Sequence, residues 1–233
     1  GVIAAIVICA LVGVLVELVA YRPVRRKGTS MSALITAIAM SLLLENLAQA
    51  IPAMGPNPRV ISDEIFSTAP MSLGGVSVNM AAVITIVIAA VVMAALQIFV
   101  QKTKLGRAMR AVSENKEAST LVGINVNRTI VTTFAIGSGL AAVAALMYCA
   151  QYHTVTTTMG SMLGLKAFVA AVMGGIGLIP GAMLGGIVVG IIEALVTAYI
   201  SSSLANAVVF LILIVMLLVK PAGILGKNVG EKV

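Results

Sequence analysis

The stretch GVIAAIVICALVGVLVELVA, residues 1–20, decides the fold because Glu17 is its only charged residue. A membrane hydrocarbon core about 30 Å thick takes about 20 helical residues to cross. Further long apolar runs follow along the chain, and they are continuous. Porin-like barrels are therefore excluded, since their strands alternate in polarity over about 10 residues. The sequence predicts an all-α, polytopic transmembrane helical bundle of about six spans.

The composition agrees with this prediction. The 233 residues are 60% hydrophobic and 10% charged, with a mean hydropathy of +1.12. Soluble domains have about 45–50% apolar and about 25% charged residues, so a soluble globule is excluded. We expect one transmembrane permease domain over residues 1–233. Because the chain begins inside an apolar run with none of the marks of a secretory signal, we expect it to be N-terminally incomplete.

The expected spans are the apolar runs between polar segments. They cover 1–20, 31–51, 79–100, 129–152, 166–200 and 204–219. The segment 166–200 is interrupted by GGIGLIPG at residues 174–181, which predicts either a helical hairpin or a broken helix.

The cations set the expected orientation, because Lys and Arg are enriched in cytoplasmic loops. Four of the fifteen lie in 22–27, six in 101–128 and three in the tail after 219, and the other two are Arg59 and Lys166. If the first run ends in the cytoplasm and 166–200 crosses the membrane twice, all thirteen clustered cations are cytoplasmic, with Lys166 in an external connection. A single crossing would place the three tail cations outside, so we expect the double crossing and a cytoplasmic C-terminus. This distribution explains the net charge of +7 without a nucleic-acid partner.

Residues 101–128 are expected to form a cytoplasmic coupling loop that contains a short helix. Ala118, Leu121 and Val122 are spaced to form one apolar face, Glu117 suits the first turn, and Gly123 suits a left-handed stop. A helix of two turns does not persist alone in water, so this one needs a surface to dock on. That surface is the membrane, the chain's own bundle, or a groove on a cytoplasmic partner.

This helix resembles the ATPase-docking motif of ATP-binding-cassette importers, which begins Glu-Ala-Ala and has Gly after three more residues. The chain has Glu117-Ala118-Ser119 and then Gly123, so Ser replaces the second Ala, and the motif's distal Ile-x-Leu-Pro portion is absent. The rest of the chain resembles the branched-chain amino acid permease family. The blocks that carry this resemblance are AYRPVR at 20–25, MRA at 109–111, LVGIN at 121–125, KAFVAAV at 166–172, GGIGLIPGAM at 174–183 and PAGILG at 221–226.

The resemblance implies a permease subunit of an ATP-driven importer that moves leucine, isoleucine and valine across the bacterial inner membrane. It also implies a second related permease, two cytoplasmic ATPase subunits and an external amino-acid-binding protein. ATP and Mg would be bound by the partner subunits, and no cofactor by this chain. The coupling residues would be Glu117, Ala118, Ser119, Leu121, Val122 and Gly123. Urea or short amides as substrates, or a stand-alone channel or secondary carrier, are the alternatives, with a non-transporting scaffold as a further rival.

An ATPase or enzyme active site is not expected in this chain. The nucleotide loop Gly-x4-Gly-Lys-Ser/Thr is absent, and Gly223-Ile224-Leu225-Gly226-Lys227 has the wrong spacing. His153 is the only histidine, so no metal cluster can be built around it, and it is most simply an interfacial residue. A Ser-His protease that uses Ser138 or Ser161 is the remaining enzymatic interpretation.

Acidic residues inside spans are costly and usually mark function. Glu17 lies about one turn from Arg22, which favours anchoring at the interface. Glu45, Asn46 and Gln49 form a polar patch in the second span, and Glu193 lies deep in 166–200. For Glu45 and Glu193, two roles stay open: lining the translocation path, or fixing helix contacts.

Glycines are concentrated in the segment 166–200. Small residues four apart allow helix backbones to approach closely. Irregular backbone beside a cavity is the other use that transporters make of such a segment. We expect tight packing with a bend rather than direct substrate binding, and the residues concerned are Gly174, Gly175, Gly177, Pro180, Gly181, Gly185, Gly186 and Gly190.

Overall fold

The structure is a computed structural model that describes residues 1–27, 30–51, 55, 57–60, 71–73, 76–175, 177–220 and 222–226. Ile176, Pro221 and the tail after Gly226 lie outside the described residues. The chain divides into two compact units. Unit 1 comprises Gly1–Val91 and Ile98–Thr157, and unit 2 comprises Val92–Gln97 and Thr158–Val233.

Helices dominate both units, which confirms the all-α prediction. Five helical segments in the described residues are long and apolar enough to cross a membrane: Val2–Arg25, Met80–Lys102, Val126–Tyr152, Ile179–Tyr199 and Ser202–Val219. Shorter apolar helices cover Ile35–Ala50 and Met159–Gly174. The helices are α1 (Val2–Val16), α2 (Arg22–Lys27), α3 (Ser30–Ala50), α4 (Met80–Lys102), α5 (Lys104–Glu114), α6 (Lys116–Leu121), α7 (Val126–Tyr152), α8 (Met159–Gly174), α9 (Ile179–Tyr199) and α10 (Ser202–Val219).

The first helix is longer than predicted. A π-helical turn at Glu17–Tyr21 joins α1 to α2, so helix continues to Lys27 instead of ending near residue 20. Pro23 explains the wide turn: its ring clashes with the carbonyl four residues earlier and it has no N–H to donate. The five-residue spacing, with Arg22 N–H bonded to the Glu17 carbonyl, accommodates this clash without ending the helix.

α7 packs antiparallel along this first helix in unit 1. A Cβ at Gly13 would overlap the side chain of Ser138, so the two helices approach closely there. Further along the pair, the rings of Tyr21 and Phe134 are 5.0 Å apart. The pairing places the 22–27 segment beside the start of α7, as the predicted topology requires.

The described parts of the connections contain four short strands, which the all-α prediction did not include. β1 (Arg59–Val60) pairs antiparallel with β4 (Thr154–Val155), so the connection after α3 meets the end of α7. β2 (Met71–Leu73) pairs with β3 (Val76–Val78) just before α4. The β1–β4 pair therefore holds these two connections together within unit 1.

The predicted coupling loop is mostly helical. α4 continues to Lys102, α5 and α6 follow, and α7 begins at Val126 rather than near residue 129. Thr103 caps α5 by accepting a hydrogen bond from Gly106 N at 3.0 Å. A Cβ at Gly106 would overlap the backbone of Val100, so this glycine permits the sharp turn from α4 into α5.

In unit 2, α8 and α9 form an antiparallel hairpin, one of the two predicted arrangements. A Cβ at Gly174 would overlap the Gly181 carbonyl, and one at Gly185 would overlap the Ala170 carbonyl. The two backbones are therefore in contact. α10 packs on the hairpin, and the core between them contains Val169, Ala170, Met173, Val189 and Val209.

The prediction that Lys166 begins a span after an external connection is wrong. α8 begins at Met159, so Lys166 lies near the middle of this helix. A search for apolar runs ends a run at a charge, but a charge with a partner can lie inside a span.

The segment Ala222–Gly226 returns to the end of α8. Ile224 N donates to the Met173 carbonyl at 2.7 Å, and Leu225 N donates to the Gly174 carbonyl at 3.2 Å. These bonds satisfy carbonyls that the end of a helix leaves without partners. Gly175 follows with a φ of +110°, a conformation that favours glycine. The chain after α10 therefore caps α8.

Candidate functional sites

α6, which we call the coupling helix, is a defined structural element. Asn115 caps its start by accepting a hydrogen bond from Ala118 N at 3.0 Å. Gly123 has a φ of +83°, and its N–H donates to the Thr120 carbonyl, which confirms the predicted left-handed stop. Glu117 lies in the first turn, where its charge suits the helix dipole.

The predicted apolar face of the coupling helix points away from the chain. The exposed fractions of Leu121 and Val122 are 89% and 75%, and Ala118 is exposed as well. These side chains therefore do not pack against the described residues. Of the three predicted docking surfaces, the chain's own bundle is disfavoured, and the membrane surface and a partner remain.

Ser119 has a different environment from the rest of the motif. It is only 3% exposed, and its hydroxyl donates to the Asn115 carbonyl at 2.7 Å. Its own carbonyl accepts a hydrogen bond from Ile124 N at 3.0 Å. Ser119 is thus the buried residue of the motif, while the other motif residues are exposed.

An open groove lies at the junction of α5 and α6. It is lined by Val112, Ser113, Glu114, Asn115, Lys116 and Glu117. All of these residues except Val112 are polar or charged, so the groove offers mainly polar groups at the start of the coupling helix.

Glu17 forms an ion pair that the sequence did not reveal. It is 0% exposed, and its Oε1 lies 2.9 Å from Nη1 of Arg25. The Nη2 of Arg25 donates to Oδ1 of Asn127 at 2.9 Å. Neither oxygen of Glu17 nor Nε of Arg22 has an aligned hydrogen-bond partner among the described groups.

Glu193 is also paired. Nζ of Lys166 donates to Oε1 of Glu193 at 2.6 Å, linking the middle of α8 to α9. The two side chains are 23% and 33% exposed, so the pair is half-buried. Membrane-embedded charges usually pair in this way, and two opposite charges inside apolar runs are a sequence signal that both need partners.

The polar patch on α3 is less engaged. Asn46 donates to the Leu42 carbonyl of its own helix at 2.7 Å. Glu45 and Gln49 are half-buried, and no described side chain pairs with Glu45. Among the described residues, no other element supplies a hydrogen-bond or ion-pair partner to this patch.

The candidate glycines divide into two groups. Gly174, Gly175, Gly181 and Gly185 are buried at close backbone contacts, and Pro180 begins α9. Gly186 and Gly190 make no close backbone contact with the described residues, so the close helix approach predicted for them stays a prediction. A Cβ at Gly186 would meet only the Ala170 Cβ of α8, at 3.9 Å, and a Cβ at Gly190 would meet nothing within 4 Å. Gly177 is exposed with a φ of +91°.

Metal-ligating groups are not assembled in the described part of the chain. No three His, Cys, Asp or Glu side chains there lie close enough to hold a metal ion. His153 ends α7 in a left-handed conformation, with a φ of 51°.

Comparison with known proteins decides the family. Residues 1–219 match the family described as the permease component of the branched-chain amino acid transport system. The chain belongs to this family. Its members are transporters, and the apolar helices make the chain a multi-pass membrane protein.

Two relatives align over nearly the whole chain. The permease protein BraD of the Pseudomonas aeruginosa high-affinity branched-chain amino acid transport system is 40% identical over 99% of this chain and 75% of its own length. The corresponding permease LivH of Escherichia coli K12 is 43% identical over 100% of this chain and 76% of its own length. No solved structure matches the chain.

Proposed function

We propose that this chain is a permease subunit of an ATP-driven importer that moves leucine, isoleucine and valine across the bacterial inner membrane. The observation that carries the proposal is the family match over residues 1–219, with relatives from two high-affinity branched-chain amino acid systems. The alternatives differ in substrate, namely urea or short amides, or in mechanism, as a stand-alone channel or carrier. A channel or carrier gives no reason for a capped helix that exposes Leu121 and Val122.

The coupling helix is the proposed contact with the ATPase subunit. An amphipathic helix docks by inserting its apolar face into a groove of its partner. We propose that Glu117, Ala118, Leu121, Val122 and Gly123 form this contact with a cytoplasmic ATPase subunit, and that Ser119 holds the helix in place. The complete importer would contain two such ATPases carrying ATP and Mg, a second related permease and an external amino-acid-binding protein.

The charges support one orientation. Segments 22–27 and 101–128 carry ten of the fifteen cations and contact each other within unit 1 through Arg25 and Asn127. Because cytoplasmic connections are rich in Lys and Arg, we place this end of unit 1 in the cytoplasm. The tail after Val219, with three further cations, is placed there on the same ground.

We propose two sets of polar positions for the translocation path. One is Glu45 with Asn46 and Gln49, and the other is Glu193 with its partner Lys166. The Lys166–Glu193 pair lies near the middle of α8, is half-buried, and offers one charge of each sign. A zwitterionic amino acid carries the same two charges, so it can exchange with the pair without leaving a net charge in the membrane. Fixing α8 to α9 is the other role of this pair.

The test is leucine uptake by proteoliposomes that contain the assembled importer, ATP and the binding protein. We expect Leu121→Asp to abolish ATP-dependent uptake, because a desolvated carboxylate cannot replace an apolar anchor in a groove. Leu121→Met, which keeps an apolar side chain at the same position, is expected to retain most of the uptake. Wild-type uptake that needs no ATP, or equal uptake by the two variants, would contradict the proposal.

A further inference from the structure

The buried carboxylate of Glu17 begins a chain of contacts that joins the first helix to α7 in unit 1. Its side chain is 0% exposed, and the Nη1 of Arg25, 2.9 Å away, supplies the opposite charge. A buried charge without such a partner is strongly destabilising, so the position of Arg25 is fixed by Glu17.

The other end of the guanidinium reaches a different helix. The Nη2 of Arg25 donates to Oδ1 of Asn127 at 2.9 Å, and the two residues are 102 positions apart in the sequence. A planar guanidinium presents its donors in a rigid fork, so one group can hold two acceptors in a fixed relation. Arg25 therefore connects the buried acid of the first helix to the first turn of α7.

Asn127 is closely linked to the coupling helix. It lies four residues after Gly123, in a turn capped by Asn125, whose Oδ1 accepts from Arg128 N at 3.0 Å. Between them, Ile124 N donates to the Ser119 carbonyl at 3.0 Å. The coupling helix and the first turn of α7 are thus joined by hydrogen bonds over a short connection.

We infer that Arg25 is a positioning residue that ties the coupling helix to the first transmembrane helix, and that the contact with Asn127 carries movement of the former into the latter. This inference rests on the proposed function, since it concerns the coupling of ATP hydrolysis to transport. Such coupling requires an element with two arrangements. Groups for a second arrangement are present at this contact. Glu17 Oε2 and Arg22 Nε are both buried without a hydrogen-bond partner, so each can accept or donate a new bond when the helices move.

The test is the number of ATP molecules hydrolysed per leucine imported, measured with the reconstituted importer for Asn127→Ala and Asn127→Asp. Alanine removes the acceptor that Arg25 uses, whereas aspartate keeps it and adds a charge. Thr132→Ala is the matched control on the same helix, because the Thr132 hydroxyl donates only to the Arg128 carbonyl of α7.

For Asn127→Ala we expect the ATP cost per leucine to rise roughly two- to tenfold, the range that corresponds to one lost hydrogen bond. Its melting temperature should stay within a few degrees of the wild type, because the contact is exposed. Asn127→Asp and Thr132→Ala should both keep the wild-type ratio. If Asn127→Ala fails to assemble, Arg25→Lys takes its place. Lysine keeps the positive charge facing Glu17, but it has no planar guanidinium to hold Glu17 and Asn127 at the same time.

A wild-type ratio in Asn127→Ala would overturn the inference, as would an equal defect in Asn127→Asp. If the wild-type importer itself shows no ATP-driven leucine uptake, the proposed function fails and the inference fails with it. Coupled uptake by the wild type beside an unchanged Asn127→Ala overturns the inference alone.

Discussion

The α8–α9 hairpin and the coupling helix use apolar and small residues in opposite ways. In the hairpin, the backbone at Gly174 touches that at Gly181, and the backbone at Gly185 touches that at Ala170, so these contacts are complete within the chain. In the coupling helix, Leu121 is 89% exposed.

This difference separates two kinds of motif in one sequence. The hairpin glycines specify how this chain packs on itself, and the coupling residues present a surface to something outside it. Substitutions in the hairpin should therefore act on folding, and substitutions in the coupling helix should act on assembly and transport.

The largest effect on folding is expected at Gly185. A leucine there would force its Cβ into the Ala170 carbonyl, and a backbone atom cannot move aside as a side chain can. Overpacking typically costs about 1–3 kcal/mol and more where backbone must shift, so we expect Gly185→Leu to yield little folded protein by size-exclusion chromatography in detergent. Gly190→Leu is the matched control, because nothing lies within 4 Å of a Cβ there. Equal yields from both variants would break the comparison.

A smaller loss of stability is expected when the half-buried Lys166–Glu193 ion pair is broken. Lys166→Met leaves the carboxylate of Glu193 without its partner inside a span, and we expect a loss of about 1–2 kcal/mol, lowered by the exposure. The double variant Lys166→Met/Glu193→Leu should recover most of this stability, as measured by thermal unfolding in detergent.

Uptake by the double variant then separates the two roles of Glu193. If the pair only fixes α8 to α9, uptake returns with stability. If the pair lines the path, the double variant is stable but does not transport. A double variant less stable than the single one would contradict the ion pair itself.

The smallest effect on stability is expected at Gly123. A Cβ there meets nothing within 4 Å, so only the φ of +83° opposes a side chain, at a cost of about 1 kcal/mol. Gly123→Ala should leave the melting temperature nearly unchanged and reduce uptake, because the end of the coupling helix shifts. Gly123→Asn should transport better than Gly123→Ala, since asparagine tolerates the left-handed conformation. Identical uptake by the two variants would contradict a role for this turn.

The features that could be predicted from the sequence depend on local pattern. Hydropathy located α3, predicted over 31–51 and observed over Ser30–Ala50, and the helix after Asn79, since a span needs a fixed length of apolar residues. The left-handed stop at Gly123 follows from the preference of this conformation for glycine. α5 is not among the predicted elements: its segment is predominantly polar, although Leu105, Ala108, Met109 and Val112 recur with a helical period.

The features that could not be predicted join distant parts of the chain. Arg25 and Asn127 are 102 residues apart, and Lys166 and Glu193 are 27 apart. A single sequence states which charges need partners, but the packing of helices decides which partners they find. The return of Ala222–Gly226 to the end of α8 is of the same kind.

The most direct test of the central claim is a photocrosslinking residue placed at Leu121 in the assembled importer in native membranes. If the coupling helix docks on an ATPase subunit, illumination should crosslink this chain to that subunit. The same probe at the buried Ser119 should give no such crosslink. Crosslinks from Leu121 only to lipid or to other parts of this chain would contradict the claim. They would assign the exposed face of α6 to the membrane surface or to the bundle.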